Sequence, residues 1–244
     1  SSDSSAEPRE LPLGVPTDVY RSVSVASGNV TSLRVSTADA LGDGSFPSGT
    51  PIPKVRVDVV RSVDGKEFEV VSSRSTNNLE PCLTSDGAAW DVDADGGAIV
   101  RLDPASVEWA PVDGISAGPL TSISCGAASV AVLDPASRTV SVVPAREPDR
   151  GVKLSTPGSF WPSEQTAIPD VARRVGIDPV TDRPFSVVPV ANGETELLVW
   201  DADGAPSSSA RLAPGVESWL PVAGGAFWRS GSSSTASIER VGDK

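Results

Sequence analysis

The chain has 244 residues and a net charge of −12, from 20 basic and 32 acidic side chains, a balance that repels phosphate backbones and argues against nucleic acid as a partner. It contains no histidine, which excludes Ser-His-Asp and Cys-His nucleophile systems and every zinc site that needs an imidazole. Hydrophobic residues make up 39%, enough for a sizeable core, and 22 Gly with 22 Pro punctuate the chain in the manner of short strands joined by turns.

Residues 1–16 (SSDSSAEPRELPLGVP) are Ser-rich and broken by prolines, the composition of a flexible polar linker behind a signal or anchor segment. Position 1 is not Met, so a processed or excised chain is expected. Residues 17–244 are expected to form one all-β domain. Alternation in Val19–Val25 and Val30–Val35 around Gly28-Asn29 predicts a hairpin. The segment 40–53 (ALGDGSFPSGTPIP) reads as an exposed loop. A second hairpin follows, Val55–Val60 and Glu67–Val71, turning at Asp64-Gly65. Its Ser62-to-Phe68 run is similar to the Asp-box turn of sialidase-type propellers and to the hairpin of discoidin-like carbohydrate-binding domains, which implies a structural turn.

Two segments, 83–106 and 123–145, look alike, and both contain Leu-Asp-Pro-Ala-Ser, at Leu102–Ser106 and Leu133–Ser137, although the word sits differently relative to the strands in each. Further pairs are predicted for Phe185–Ala191 with Glu196–Trp200 and for Trp219-Leu220 with Phe227-Trp228. Short strands at such regular intervals predict a β-propeller-like fold of five to six irregular blades, with two packed β-sandwiches as the alternative. Cys82 and Cys125, the only cysteines, read as a disulfide between equivalent points of neighbouring blades or, alternatively, as two buried thiols. A bridge belongs in an oxidising compartment.

The run Gly97–Val107, then Cys125-Gly126 and Val130–Pro135, resembles a propeller-like region of large actinobacterial cell-envelope proteins, which precede it with a membrane anchor and follow it with fibronectin type III or immunoglobulin-like repeats. The resemblance covers about a quarter of the chain. It implies an extracytoplasmic location and an envelope or membrane-complex protein as partner. It transfers no catalytic residue, and no fibronectin repeat follows here.

Three chemistries remain open. Paired carboxylates would serve a sialidase-like glycosidase. Asp91, Asp93 and Asp95 with Gly96 form the opening half of a calcium loop, but Ile99 and Leu102 stand where the later ligands belong, so any Ca2+ site would be weak. Asp201 and Asp203 with Gly204 repeat that theme. Most Trp residues (90, 109, 200, 219 and 228) fall in or beside predicted strands and read as core. Phe160-Trp161, between prolines in a loop, reads as an exposed contact patch for a protein partner or a glycan. The expected function is a non-enzymatic scaffold or protein-interaction domain, with a carbohydrate-binding module or glycosidase as the alternative.

Overall fold

The structure is a computed structural model and describes residues 18–26, 29–36, 54–63, 67–78, 80–118, 120–156, 160–161, 174–178, 181–189, 195–201, 203–212, 216–222, 225–230 and 237–242. These form five antiparallel sheets in chain order. Sheet 1 is β1 (Asp18–Ala26), β2 (Asn29–Ser36), β3 (Val55–Val63) and β4 (Glu69–Thr76). Sheet 2 is β5 (Cys82–Leu83), β6 (Ala89–Asp93), β7 (Ala98–Leu102) and β8 (Trp109–Ser116). Sheet 3 is β9 (Ser122–Cys125), β10 (Ser129–Asp134), β11 (Thr139–Pro144) and β12 (Val152–Lys153). Sheet 4 is β13 (Arg174–Ile177), β14 (Pro184–Pro189), β15 (Thr195–Trp200) and β16 (Pro206–Leu212). Sheet 5 is β17 (Val216–Val222), β18 (Gly225–Ser230) and β19 (Ser237–Gly242).

Within each sheet every strand pairs with the next in sequence, and the first strand of each sheet touches the first strand of the following one. This is the all-β, β-propeller-like architecture, with five sheets among the described residues. The predicted hairpins are present: Val25 faces Val30, Val59 faces Ser72, and Trp219 faces Trp228. The linker 1–16, the loop 40–53 and the Asp64-Gly65 turn lie outside the described residues.

The core lies in the seams between consecutive sheets. Leu33, Val35, Val57 and Val59 of sheet 1 meet Leu83, Ala89 and Leu102 of sheet 2. Trp90, Val92 and Ile99 of sheet 2 meet Ile123, Val130 and Val132 of sheet 3. Ala131, Leu133 and Val140 of sheet 3 meet Val175, Ile177, Leu198 and Trp200 of sheet 4. Because side chains alternate across a strand, β10 sends Val130 and Val132 into one seam and Ala131 and Leu133 into the next, so all six of its residues are buried. A sheet buried on both faces belongs to a stack of blades, not to the paired sheets of two sandwiches, and that alternative is set aside.

One sequence word makes turns at three different places. Asp103 follows β7, Asp134 ends β10 and Asp178 follows β13, and each is followed by proline. The carboxylates accept backbone N–H groups two or three residues on: Ala105 at 2.7 Å, Ala136 at 3.2 Å and Thr181 at 3.2 Å. Four residues past each Asp the backbone turns left-handed, at Val107 (φ 59°), Arg138 (φ 53°) and Asp182 (φ 54°). Leu-Asp-Pro-Ala-Ser therefore encodes a turn and not a position in a blade, which is why its two copies are out of phase.

A line of hydrogen bonds runs from β1 through the turns between first and second strands of the next three sheets. Ser24 Oγ donates to the Ser85 carbonyl (3.0 Å), and Ser85 N donates to the Ala127 carbonyl (3.1 Å). Ala127 N and Ala128 N then donate to the two carboxylate oxygens of Asp182, at 2.6 and 2.8 Å. The Cys82–Cys125 disulfide joins the first strands of sheets 2 and 3, with 5.6 Å between Cα atoms. The bridge inferred from sequence is thus present, and between equivalent strands.

Candidate functional site

At the end of sheets 1 and 2 where β3 begins, β4 ends and β6 turns into β7, a cleft of about 390 Å³ opens between the two sheets. Its walls include Lys54, Arg74, Ser75, Asn77, Asp93 and Asp95. Arg74 is the centre of the arrangement. Its guanidinium lies over the Trp109 ring, 5.1 Å from the centroid, with Nε 3.2 Å from Asp91 Oδ2 and Nη2 3.7 Å from Asp93 Oδ2. At the mouth, Lys54 Nζ pairs with Asp95 Oδ2 at 2.8 Å, and this partner raises the lysine pKa.

Asp91 sits behind the cleft, fully buried. Its Oδ1 accepts Asn78 Nδ2 and Val92 N, both at 2.8 Å. Its Oδ2 has the charge of Arg74 nearby but no aligned hydrogen bond. Burial raises its pKa and outweighs the opposing pull of Arg74, Asn78 and Val92 N. Thr76 Oγ1 links the two sheets by donating to the Val92 carbonyl at 3.2 Å. Gly96 keeps the β6–β7 turn tight: its N–H reaches Asp93 Oδ1 at 3.0 Å, and an added Cβ would stand 2.8 Å from Asp93 Oδ2. Two buried side-chain atoms of the cleft wall, Arg74 Nη1 and Asn77 Oδ1, have no hydrogen-bond partner.

Asp91, Asp93 and Asp95 do not converge as a calcium loop would bring them. β6 runs extended through Asp93, so successive alternate residues are roughly 6.6 Å apart along the strand, whereas a calcium loop curls its ligands round one point. Arg74 takes Asp91 and Asp93, Lys54 takes Asp95, and among the described residues no three acidic or cysteine side chains are grouped to hold a metal.

The expected surface patch at Phe160-Trp161 is corrected in its first half. Phe160 is 2% exposed and packs edge-on against Trp161 (4.8 Å between centroids) and Trp200 (5.9 Å) in the seam of sheets 3 and 4. Trp161 is half-buried over the same core and donates from Nε1 to Thr156 Oγ1 at 3.0 Å. The proline-flanked segment carries its aromatic side chains inward because the seam above Leu154 and Trp200 offers apolar surface to cover. Trp90 and Trp200 are core, as expected, and Trp109 packs against the seam of sheets 1 and 2.

Sequence reasoning overlooked Lys54, Arg74 and Asn77, which stand in separate strands and loops and share no motif. A faint signal was available at Arg74, the only charged side chain between Glu69 and Glu80.

The fold places the chain in the β-propeller-like class. It is similar to TolB from Acinetobacter baumannii, with a TM-score of 0.56 and 12% identity over 92% of this chain and 52% of that one. The chain thus spans about half the length of TolB, and at this identity the likeness is one of fold alone. Virginiamycin B lyase from Staphylococcus aureus aligns over 93% of this chain and 86% of its own at 11% identity, with a TM-score of 0.45. No protein-family model matches the sequence, and no curated protein matches it.

Proposed function

We propose that this chain is a non-enzymatic interaction domain of an extracytoplasmic, cell-envelope assembly, a β-propeller-like body that offers its strand ends and turns to a protein partner. The observation that carries this reading is where exposed apolar surface gathers. Four of the six large exposed hydrophobic residues among those described, Val23, Val25, Val63 and Val70, belong to sheet 1. By the strand register Val23, Val25 and Val70 share one face of the sheet, while Val63 stands on the other, at the end that carries the first and third turns, where it lines a groove of about 420 Å³ with Arg61, Phe68 and two glutamates, Glu67 and Glu69. Apolar side chains rimmed by charge are a common form of protein-binding surface.

The disulfide supports this compartment, since such bonds persist where thiols are not kept reduced. The carboxylates bear on the reaction class. Asp58 is held by Arg34, Arg56 and Ser73, Asp134 by Thr121 and its own turn, and Asp182 by two backbone N–H groups. Acids committed to such partners are fasteners, which supports the non-enzymatic reading over the glycosidase.

Cross-linking in the native envelope fraction tests it. The wild-type chain should capture a defined envelope protein, and Val25→Asp/Val63→Asp should lose that capture while keeping the wild-type melting temperature. Undiminished capture by the double variant would sink the proposed surface. Glycoside hydrolysis abolished by a single Asp or Glu change would sink the non-enzymatic assignment.

A further inference from the structure

The last strand of each sheet has a far edge that pairs with no described strand, and the five edges are not alike. An open edge is a template for a further strand, and proteins blunt it with proline, charge, a bulge or a short length. β8 carries Pro111 and a left-handed Gly114 (φ 77°), β12 has two residues, β16 opens on Pro206, and β19 has the adjacent charged residues Glu239-Arg240 in its sequence. Bulges occur in β4, β8 and β16 alike and do not set them apart. β4 keeps eight residues with neither proline nor glycine, and its stretch Val70–Ser73 is uncharged. Its one cation, Arg74, is drawn across the seam to Asp91 and Trp109.

That open stretch begins beside the groove of about 420 Å³. Val63, 62% exposed, and the half-buried Phe68 give the groove its apolar wall. Glu67 and Glu69 stand beside them, both exposed, and neither has an ion pair or a side-chain hydrogen bond among the described residues. Arg61 faces Glu69 across the β3–β4 ladder but donates from Nη2 to the Pro104 carbonyl at 3.3 Å. Two unpaired carboxylates against one committed guanidinium leave the groove negative, on a chain whose net charge is −12. Such a surface draws a cationic segment and repels an anionic one.

We propose that an extended segment of the protein partner, with lysine or arginine alternating with apolar residues, adds to the free edge of β4 as a further strand of sheet 1. Main-chain hydrogen bonds to β4 hold it, and its side chains fall alternately on the two faces of the sheet. By the register, Glu69 shares the face of Arg61 and Val63, while Val70, 44% exposed, stands on the opposite face. On the first face a lysine stem covers Val63 and Phe68 while its ammonium reaches Glu67 and Glu69. On the second, apolar side chains cover Val70. This inference rests on the protein-interaction reading and names the partner's chemistry: a basic, strand-forming segment, and not a second copy of this acidic chain.

The probe is a labelled peptide of alternating valine and lysine, as long as β4, titrated with the full chain by fluorescence anisotropy in about 150 mM NaCl. Saturable one-to-one binding is expected. Glu67→Lys/Glu69→Lys, at two exposed positions that the fold does not need, should weaken it at least about tenfold. Methylating one alternate set of peptide amides should abolish binding, and methylating the other set should change it less than about twofold, because only one edge of the peptide faces β4. Any of five results overturns the inference: no saturable binding; equal binding of the same residues in block order, valines then lysines; equal binding of a valine-glutamate peptide; equal effects of the two methylated sets; or a chain that sediments as a dimer and excludes the peptide. Envelope capture without peptide binding would overturn this mode and leave the partner reading standing, whereas peptide binding without capture would do the reverse.

Discussion

The seam between sheets 1 and 2 and the seam between sheets 3 and 4 have apolar cores of similar make-up but opposite polar edges. In the later seam most of the described polar groups are matched, with Ser129 Oγ on β10 the exception. Ser122 and Ser124 accept Val175 N and Ile177 N, Asp182 accepts two backbone N–H groups, and Trp200 Nε1 donates to the Ser155 carbonyl at 2.7 Å. In the earlier one Arg74, Asp91 and Asn77 keep buried atoms without hydrogen-bond partners beside an open cleft. Six of the seven such atoms among the described residues belong to residues 62–109, in sheets 1 and 2 or the link between them. A seam whose polar groups are mostly satisfied is a joint. A seam with unmet buried donors and acceptors gives up part of that stability.

The largest effect should come from the covalent link in the seam between these two. The disulfide closes a 43-residue separation, which in the chain-entropy model stabilises by about 4 kcal/mol. Cys82→Ser/Cys125→Ser should lower the unfolding free energy measured in urea by that amount, with a steeper slope because the uncrosslinked unfolded chain exposes more surface. A loss under about 1 kcal/mol would mean that the hydrogen-bonded line from Ser24 to Asp182 holds the sheets without it.

Next in size is the Asp182 joint. Asp182→Ala orphans Ala127 N and Ala128 N and should cost about 2 kcal/mol. Asp182→Gly should cost less by about 1 kcal/mol, because glycine takes φ 54° without strain. Gly126→Ala attacks the same joint from the other side, since its Cβ would stand 2.0 Å from Asp182 Oδ1 and 3.1 Å from the Ile177 side chain. The two changes disrupt one contact, so a double-mutant cycle should show Asp182→Ala and Gly126→Ala to be strongly non-additive. Additive costs would mean that the contact is not shared.

What the sequence made legible follows the same division. Strand alternation, turn words and the disulfide are local or nearly so, and the hairpins at Val19–Val35 and Val55–Val71 could be read residue by residue. The Asp-Pro word was visible too, and its phase shift between sheets 2 and 3 proved to be real. Seam chemistry was not legible, because it joins side chains from different sheets. Asp182 looks like any turn residue until Ala127 and Ala128, 55 and 54 residues earlier, are brought against it. Asp91, Asp93 and Asp95 suggested a metal because their spacing was seen without Arg74 and Lys54, which come from β4 and the approach to β3. Phe160 misled for a related reason: flanking prolines describe the backbone and not what the ring covers.

The smallest predicted effect has a sign that differs between two buried aspartates, and this makes it the sharpest probe of the earlier seam. Asp58, on sheet 1, accepts from Ser73 at 2.6 Å, Arg34 at 2.6 Å and Arg56 at 2.7 Å, and these partners outweigh burial to lower its pKa. A depressed carboxylate contributes stability that is present above the unfolded pKa, near 3.8, and is lost as pH falls through the folded value. Asp91 is the reverse. Burial dominates there and raises its pKa, so its ionised form weakens the fold at neutral pH, and the chain gains stability as pH falls through the raised value toward 3.8. In urea unfolding followed from pH 7 downward, the advantage of wild type over Asp58→Asn should therefore shrink in acid, while wild type should improve relative to Asp91→Asn over a window that opens at higher pH. If the two differences instead move in the same direction, Arg74 compensates Asp91 as fully as Arg34 and Arg56 compensate Asp58.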